Sequence, residues 1–231
     1  RSCAQRRRRG APNDPLLRQV LASADELLAT PGYSSDPVGE TGAANPQPGL
    51  IHKYHGRVLL IVSGGCAVNC RYCFRRHFPY GDNLNSRAQW RETLQAVAAD
   101  TSISEVILSG GDPLVASDEH LAALVDLIAA IPHVTRLRVH TRLPVVIPAR
   151  VTDGLLAALC RPHLQTVVVI HSNHGNEIDS GVASALRSLR QRGIHLLNQA
   201  VLLRGINDSP EAQVALSEQL FAAGVLPYYL H

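Results

Sequence analysis

Apolar side chains concentrate in six short runs, 58–62 (VLLIV), 105–108 (EVIL), 134–139 (VTRLRV), 166–170 (TVVVI), 195–202 (HLLNQAVL) and 225–229 (VLPYY). Between them, 87–99, 118–130, 152–160, 180–192 and 209–223 show helical spacing, and Gly193 and Gly224 stand where the last two helices would end. Short runs alternating with helices predict parallel strands joined by right-handed crossovers. Such a chain can form an open doubly wound sheet or a β/α barrel. SGGC follows the first run, SGGDP the second, HTR the third, HSNH the fourth and LLRGIND the fifth. Five strand ends with polar or glycine-containing segments suit a common barrel mouth better than the single crevice of an open sheet. The expected fold is therefore α/β, a partial (β/α)6 TIM-like barrel.

Ahead of the barrel, Asp14–Ala29 reads as one helix, or two short ones broken near Ser23, with Asp14 as cap and Pro15 in the first turn. Residues 30–50 are rich in turn formers and read as a linker or surface-crossing segment, and residues 1–15 as disorder or an extended arm. The expected division is 1–50, an N-terminal arm, helix and linker, and 51–231, the barrel core.

A chain of 231 residues and 24.9 kDa can bury one substantial core. Its charge of +3 comes almost wholly from arginine, with Lys53 the sole lysine, and says little about partners. The basic run at 6–9 reads as a solvated tail rather than a nucleic-acid surface, since no aromatic-rich basic face follows it. No run of eighteen apolar residues is present, and no signal-peptide segment opens the chain. Five cysteines, three of them on one loop, argue against a secreted disulfide framework and for a reducing, cytoplasmic setting. The absence of methionine indicates that these are not the boundaries of the complete gene product.

Cys66, Cys70 and Cys73 follow a CxxxCxxC spacing directly after the first apolar run. Thiolates are soft ligands suited to iron–sulfur clusters or zinc. Three cysteines on a cubane would leave one iron open to another ligand. Zinc on these cysteines and His77, in a module whose basic N-terminus touches RNA, is the competing reading. Gly110, Gly111 and Asp112 follow the second run, where glycine lets backbone approach a ligand or make a tight turn before Pro113. Arg75 and Arg76, beside the cysteines, would be poor core residues unless they meet an anion. His140, Thr141 and Arg142 close the third run; His171, Asn173, His174, Asn176 and Glu177 cluster after the fourth and suit hydrogen bonding to a ligand. Asn198 and Gln199 lie in an apolar strand and need partners. Asp208 is either a cation-binding carboxylate or a helix cap before Ser209 and Pro210.

KYHGRVLLIVSGGCAVNCRYCFRRHFPY, SGGDPL, HTRLPVVIPAR, LLNQAVLLRGIND and GVLPYYLH together resemble the lysine 2,3-aminomutase family of radical S-adenosylmethionine enzymes, nearest its elongation factor P β-lysylation branch. The resemblance runs from about Asp14 to His231. It implies an isomerase converting L-α-lysine to (R)-β-lysine with a 4Fe–4S cluster, S-adenosylmethionine and pyridoxal 5'-phosphate. The reduced cluster would cleave S-adenosylmethionine to an adenosyl radical, and lysine held on pyridoxal phosphate would shift its nitrogen from Cα to Cβ. The same resemblance implies that Cys66, Cys70 and Cys73 ligate the cluster. Gly110, Gly111, Asp112 and Arg142 would receive the methionine moiety, with His171 and Gln199 in the same nucleotide neighbourhood. Tyr54 and Arg57 would lie at pyridoxal phosphate, Arg75 on the substrate α-carboxylate and Asp208 on its ε-ammonium. Implied partners are a reductant such as flavodoxin or ferredoxin and a downstream elongation factor P ligase, in a cytoplasmic homo-oligomer. The family keeps its aldimine lysine in a glycine-rich segment beyond the last barrel strand. Lys53 precedes the first run, so this chain is expected to be a fragment or to lack the resting covalent link. A radical S-adenosylmethionine reaction without pyridoxal phosphate is the alternative within the superfamily.

Overall fold

Seven strands lie side by side in sequence order in the computed structural model, which describes Arg6, Arg7 and residues 10–231. They are β1 (Leu50–Tyr54), β2 (Arg57–Ser63), β3 (Glu105–Gly110), β4 (Arg136–Thr141), β5 (Gln165–His171), β6 (His195–Ala200) and β7 (Leu226–Leu230). β2 to β7 are parallel neighbours, and β1 runs antiparallel to β2. Each crossover therefore moves one strand further in the same direction, as in a β/α barrel; a doubly wound sheet would reverse at a switch point. The six expected parallel strands are present, and β1 is an addition. β1 and β2 form a hairpin through His55 and Gly56, whose φ of +76° supplies the left-handed conformation such turns require.

The helices are α1 (Pro15–Arg18), α2 (Arg87–Ala99), α3 (Asp118–Ala129), α4 (Leu143–Val146), α5 (Asp153–Leu159), α6 (Ser180–Gln191) and α7 (Pro210–Ala222). Side chains of Ser86, Ser117, Thr152, Asp179 and Ser209 cap the five longer ones. Upstream, the chain forms two short pieces rather than one helix. Asp14 caps α1, and Ser23 with Glu26 closes a capping box on a 3-10 turn, Ala24–Leu27.

Strand register divides the side chains between two faces. Val58, Leu60, Val106, Leu108, Leu137, Val139, Val168 and Ile170 point to the helices and form the main core. Ile61, Ser109, His140 and Val169 share the opposite, inner face, with Glu105 and Arg138 nearer the strand starts and His171 and Gln199 nearer the ends. A closed barrel of this kind is filled by branched apolar side chains. This lumen instead mixes apolar with polar side chains, and Glu105, 3% exposed, holds Arg138 at 2.8 Å.

The basic N-terminal run is not wholly a solvated tail. Arg6 donates to the carbonyls of Glu177, at 2.7 Å, and Val145, and pairs with Asp179 at 3.3 Å. Arg8, Arg9 and residues 1–5 lie outside the described residues. Among the described residues no helix is long and apolar enough to cross a membrane.

Candidate active site

β2 runs directly into Ser63, Gly64 and Gly65, and the cysteine loop follows. That entry packs on the end of β3: Gly111 N donates to Ser63 O at 2.7 Å and Asp112 N to Gly65 O at 2.9 Å. A Cβ on Gly111 would sit 2.3 Å from Gly65 O, and one on Gly110, with φ +118°, 2.4 Å from Ser63 O. The two glycines are thus required for backbone contact between loops. Asp112 is equally committed to the protein. Its carboxylate accepts from Leu114 N, Thr141 Oγ1, Arg142 N and Leu143 N at 2.6–3.1 Å, tying the ends of β3 and β4 together. Burial raises its pKa, against the pull of those donors.

Arg142 reaches from the end of β4 to the loop. Its Nη1 donates to Cys70 Sγ at 2.7 Å, and its Nη2 to Gln19 Oε1 at 2.7 Å and Glu177 Oε2 at 3.0 Å. Glu177 is fully buried, and its Oε1 accepts from Asn173 N, His174 N and Gln19 Nε2 at 2.7–3.1 Å. Burial works to raise the Glu177 pKa, but Arg142 and these donors hold it below its ordinary value. Gln19 O also accepts Arg71 N at 2.9 Å, so the segment after α1 is part of the seat of the cysteine loop.

The three cysteines are free thiols, with Cys66 and Cys73 exposed and Cys70 half-buried. Partial enclosure by the loop, reinforced by Asp112, Cys70 and Cys73, pushes the Cys66 thiol up to about 12 although the residue still reaches solvent. Zinc would need ligands converging at about 2.3 Å. No group of three or more His, Cys, Asp or Glu side chains among the described residues stands gathered for a metal ion of any kind, and His77 is exposed. Three thiols on one loop are a soft donor set of the kind an iron–sulfur cluster takes.

The anions sought for Arg75 and Arg76 are in the chain. Glu26 takes Arg71 at 2.6 Å and Arg76 at 2.8 Å, while Glu40 takes Arg75 Nε at 2.6 Å and Nη2 at 2.7 Å. Nothing in the local sequence marked Gln19 or Glu40 for these contacts, because their partners lie 123 and 35 residues away.

Deeper in the lumen, Tyr72 meets His171 edge-on, with ring centroids 5.6 Å apart, and Arg142 lies over the Tyr72 ring. His140 Nε2 and His171 Nε2 are buried without a hydrogen-bond partner. Burial brings both imidazoles down to about 3, so both are neutral at ordinary pH. Orphaned polar atoms in a lumen are the mark of a polar ligand. Gln199 pairs with His171 in the strand register, whereas Asn198 is satisfied by the backbone of Ser172. Asp208 is exposed in the loop after β6, and Ser209, not Asp208, caps α7.

Cys66, Cys70, Cys73, Gly110, Gly111, Asp112, Arg142, His171 and Arg75 therefore gather at one mouth. Tyr54 and Arg57 do not: Arg57 begins β2, roughly 20 Å along the strand from the cysteine loop. Its guanidinium lies 4.9 Å from the centroid of the Tyr54 ring and makes no ion pair among the described residues, which leaves it available to a phosphate.

Residues 60–215 match the family model of the Radical SAM superfamily. The chain is 53% identical over 231 residues to L-lysine 2,3-aminomutase of Escherichia coli (strain K12), covering all of this chain and 67% of that protein. It is 51% identical over 223 residues to the Haemophilus influenzae protein of the same name, covering 96% of this chain and 66% of the relative. With the Clostridium subterminale L-lysine 2,3-aminomutase it shares 37% over 222 residues, 95% of this chain and 53% of that one. The chain thus spans about two thirds of the first two relatives' length and half of the third's. By its barrel, its cysteine mouth and these similarities, the chain belongs to the radical SAM superfamily, within the lysine 2,3-aminomutase family.

Proposed function

We propose that the protein is an L-lysine 2,3-aminomutase, moving the α-nitrogen of lysine to Cβ to give (R)-β-lysine for elongation factor P modification. The observation that carries this is the convergence of a three-thiol loop, a buried arginine fork and two unpartnered neutral imidazoles on one lumen. Cys66, Cys70 and Cys73 would hold a 4Fe–4S cluster. Gly110, Gly111 and Asp112 with Arg142, His171 and Gln199 would hold S-adenosylmethionine, and Tyr54 with Arg57 the phosphate of pyridoxal phosphate. Bound there, these groups supply one-electron bond cleavage and a conjugated ring over which an unpaired electron can spread.

The chain's own residues bind, orient and shield. Arg75 receives the α-carboxylate of lysine through its guanidinium fork, and Asp208 draws the ε-ammonium, which fixes the Cα–Cβ bond between two charged ends. His140 and His171 stay neutral, so they hydrogen-bond without adding charge beside Arg75 and Arg142. Ile61, Ile107 and Val169 line the lumen and keep water from a reactive centre. Arg142 donates to the Cys70 sulfur and so favours electron density on it. The barrel core 51–231, with Gln19 and Glu40 contributed by the segment before it, carries this chemistry, in a reducing cytoplasm, fed by a flavodoxin- or ferredoxin-type reductant and followed by a ligase acting on elongation factor P. A homo-oligomer is part of the same reading.

Anaerobic reconstitution tests it. About four irons and four sulfides per chain are expected, with loss of both in Cys70→Ala. One zinc and no sulfide would overturn the reading.

A further inference from the structure

Arg75 carries five N–H donors. Its Nε and one Nη2 hydrogen meet the two oxygens of Glu40, at 2.6 and 2.7 Å, and its Nη1 meets Ser109 Oγ at 2.8 Å and Gly110 O at 3.4 Å. One Nη2 hydrogen is left over. A substrate carboxylate cannot dock on that fork in two-point fashion while Glu40 holds it. We propose that Glu40 is the carboxylate that Arg75 exchanges for the α-carboxylate of the substrate, carried in and out on the strap of residues 36–42. This rests on Arg75 being the substrate clamp.

The strap is built for it. Among residues 31–42, Glu40 alone is buried. Gly39 and Gly42 flank it at φ +61° and +67°, with open space where a Cβ would stand, so the backbone can swing at both sides. The intervening turn is closed largely on itself: Asp36 accepts from Glu40 N and Thr41 N at 2.9 Å and from Thr41 Oγ1 at 2.5 Å. One exposed side-chain tie joins it to the sheet, Lys53 of β1 donating to Val38 O. An exposed segment with few buried contacts opens at low cost. Beneath it, beside Glu40, Arg75, Phe74 and His77, lies a cavity of about 90 Å³. That is well below the roughly 300–1,000 Å³ of a small-molecule site.

Exchange also satisfies the electrostatics. A buried arginine left without an anion is strongly disfavoured. One carboxylate replacing another keeps Arg75 neutralised throughout, with Glu40 moving to water as the substrate enters. With Glu40 seated, by contrast, the pair has no net charge to attract a second carboxylate.

Calorimetric titration of the full-length, cofactor-loaded protein with L-lysine and with lysinamide, which lacks the α-carboxylate, tests the exchange. Glu40→Gln, which keeps the shape and removes the competing charge, should bind lysine at least threefold more tightly than the parent, with lysinamide affinity unchanged. Glu40→Asp, too short to span the fork, should act in the same direction. In the unmodified protein, saturating lysine should speed proteolytic cleavage within residues 36–42. Equal or weaker lysine binding by both variants would mean that Glu40 is a permanent support for Arg75 and would overturn the exchange. If Arg75→Gln leaves lysine affinity unchanged while lysinamide binds as well as lysine, the clamp itself is wrong, and the exchange falls with it.

Discussion

Replacing Glu177 with glutamine isolates the contact that seats the cysteine loop. Glutamine Oε1 can still accept from Asn173 N, His174 N and Gln19 Nε2, so those three bonds survive. What changes is Oε2, where an amide N–H₂ now faces the Arg142 guanidinium that the carboxylate had held at 3.0 Å. Side-chain exposures are 7% for Arg142 and 0% for Glu177, so the arginine is left as a buried charge with a neutral neighbour. Breaking such a pair by removing one partner costs about 3–5 kcal/mol. In a chain of this size that is a fall of roughly 6–20 °C in Tm. Because Arg142 also holds Cys70 Sγ, the loop should loosen with it. Two assays follow on cluster-free protein: thermal unfolding by circular dichroism, and the alkylation rate of Cys70, which should rise in the variant. A loss of less than about 1 kcal/mol with unchanged alkylation would refute the reasoning. The same pair makes stability depend on pH. Glu177 has a lowered folded pKa, so its contribution is present above the unfolded carboxyl value and is lost as pH falls through the folded one.

Gly111→Ala should prevent the cysteine loop from closing on β3, since a Cβ there meets backbone at 2.3 Å; iron content after reconstitution should collapse, and a fully loaded variant would count against the packing described. His140 and His171 are held near 3 by burial, far below the unfolded imidazole at about 6.5, so folding leaves them neutral while the unfolded chain takes up protons. Stability should therefore decline from about pH 6.5 downward, by up to about 1.4 kcal/mol per pH unit for each histidine, and urea midpoints of H140N/H171N should show a shallower decline over that range.

The strands and their order were legible because they rest on local, repeating signals. Val58 to Val62, Val106 to Leu108 and Thr166 to Ile170 announce buried parallel strands, and glycine with polar residues at their ends announces a mouth. β1 was harder to see, because LIHKY carries two polar residues and its turn is a single His-Gly pair. The cysteine spacing pointed to the metal chemistry for the same local reason. What sequence could not show was how the fold spends its charges. Asp112 reads in the sequence as a ligand contact, and nothing there shows that its carboxylate also ties two strand ends together. Arg75 and Arg76 looked open to anions, yet Glu40 and Glu26, contributed by a stretch that read as helix and linker, already meet them. Such pairings join residues 35 to 50 positions apart, and no periodicity records them.

The most direct test is nuclear magnetic resonance of L-lysine labelled with ¹⁵N at the α-nitrogen and ¹³C at Cβ, incubated with full-length, cluster-loaded protein, reductant, S-adenosylmethionine and pyridoxal phosphate. The expected result is a one-bond ¹⁵N–¹³C coupling at Cβ that grows with time and is absent when reductant, S-adenosylmethionine or Cys70 is removed. Unchanged lysine from protein that carries a complete, reducible cluster would contradict the assignment.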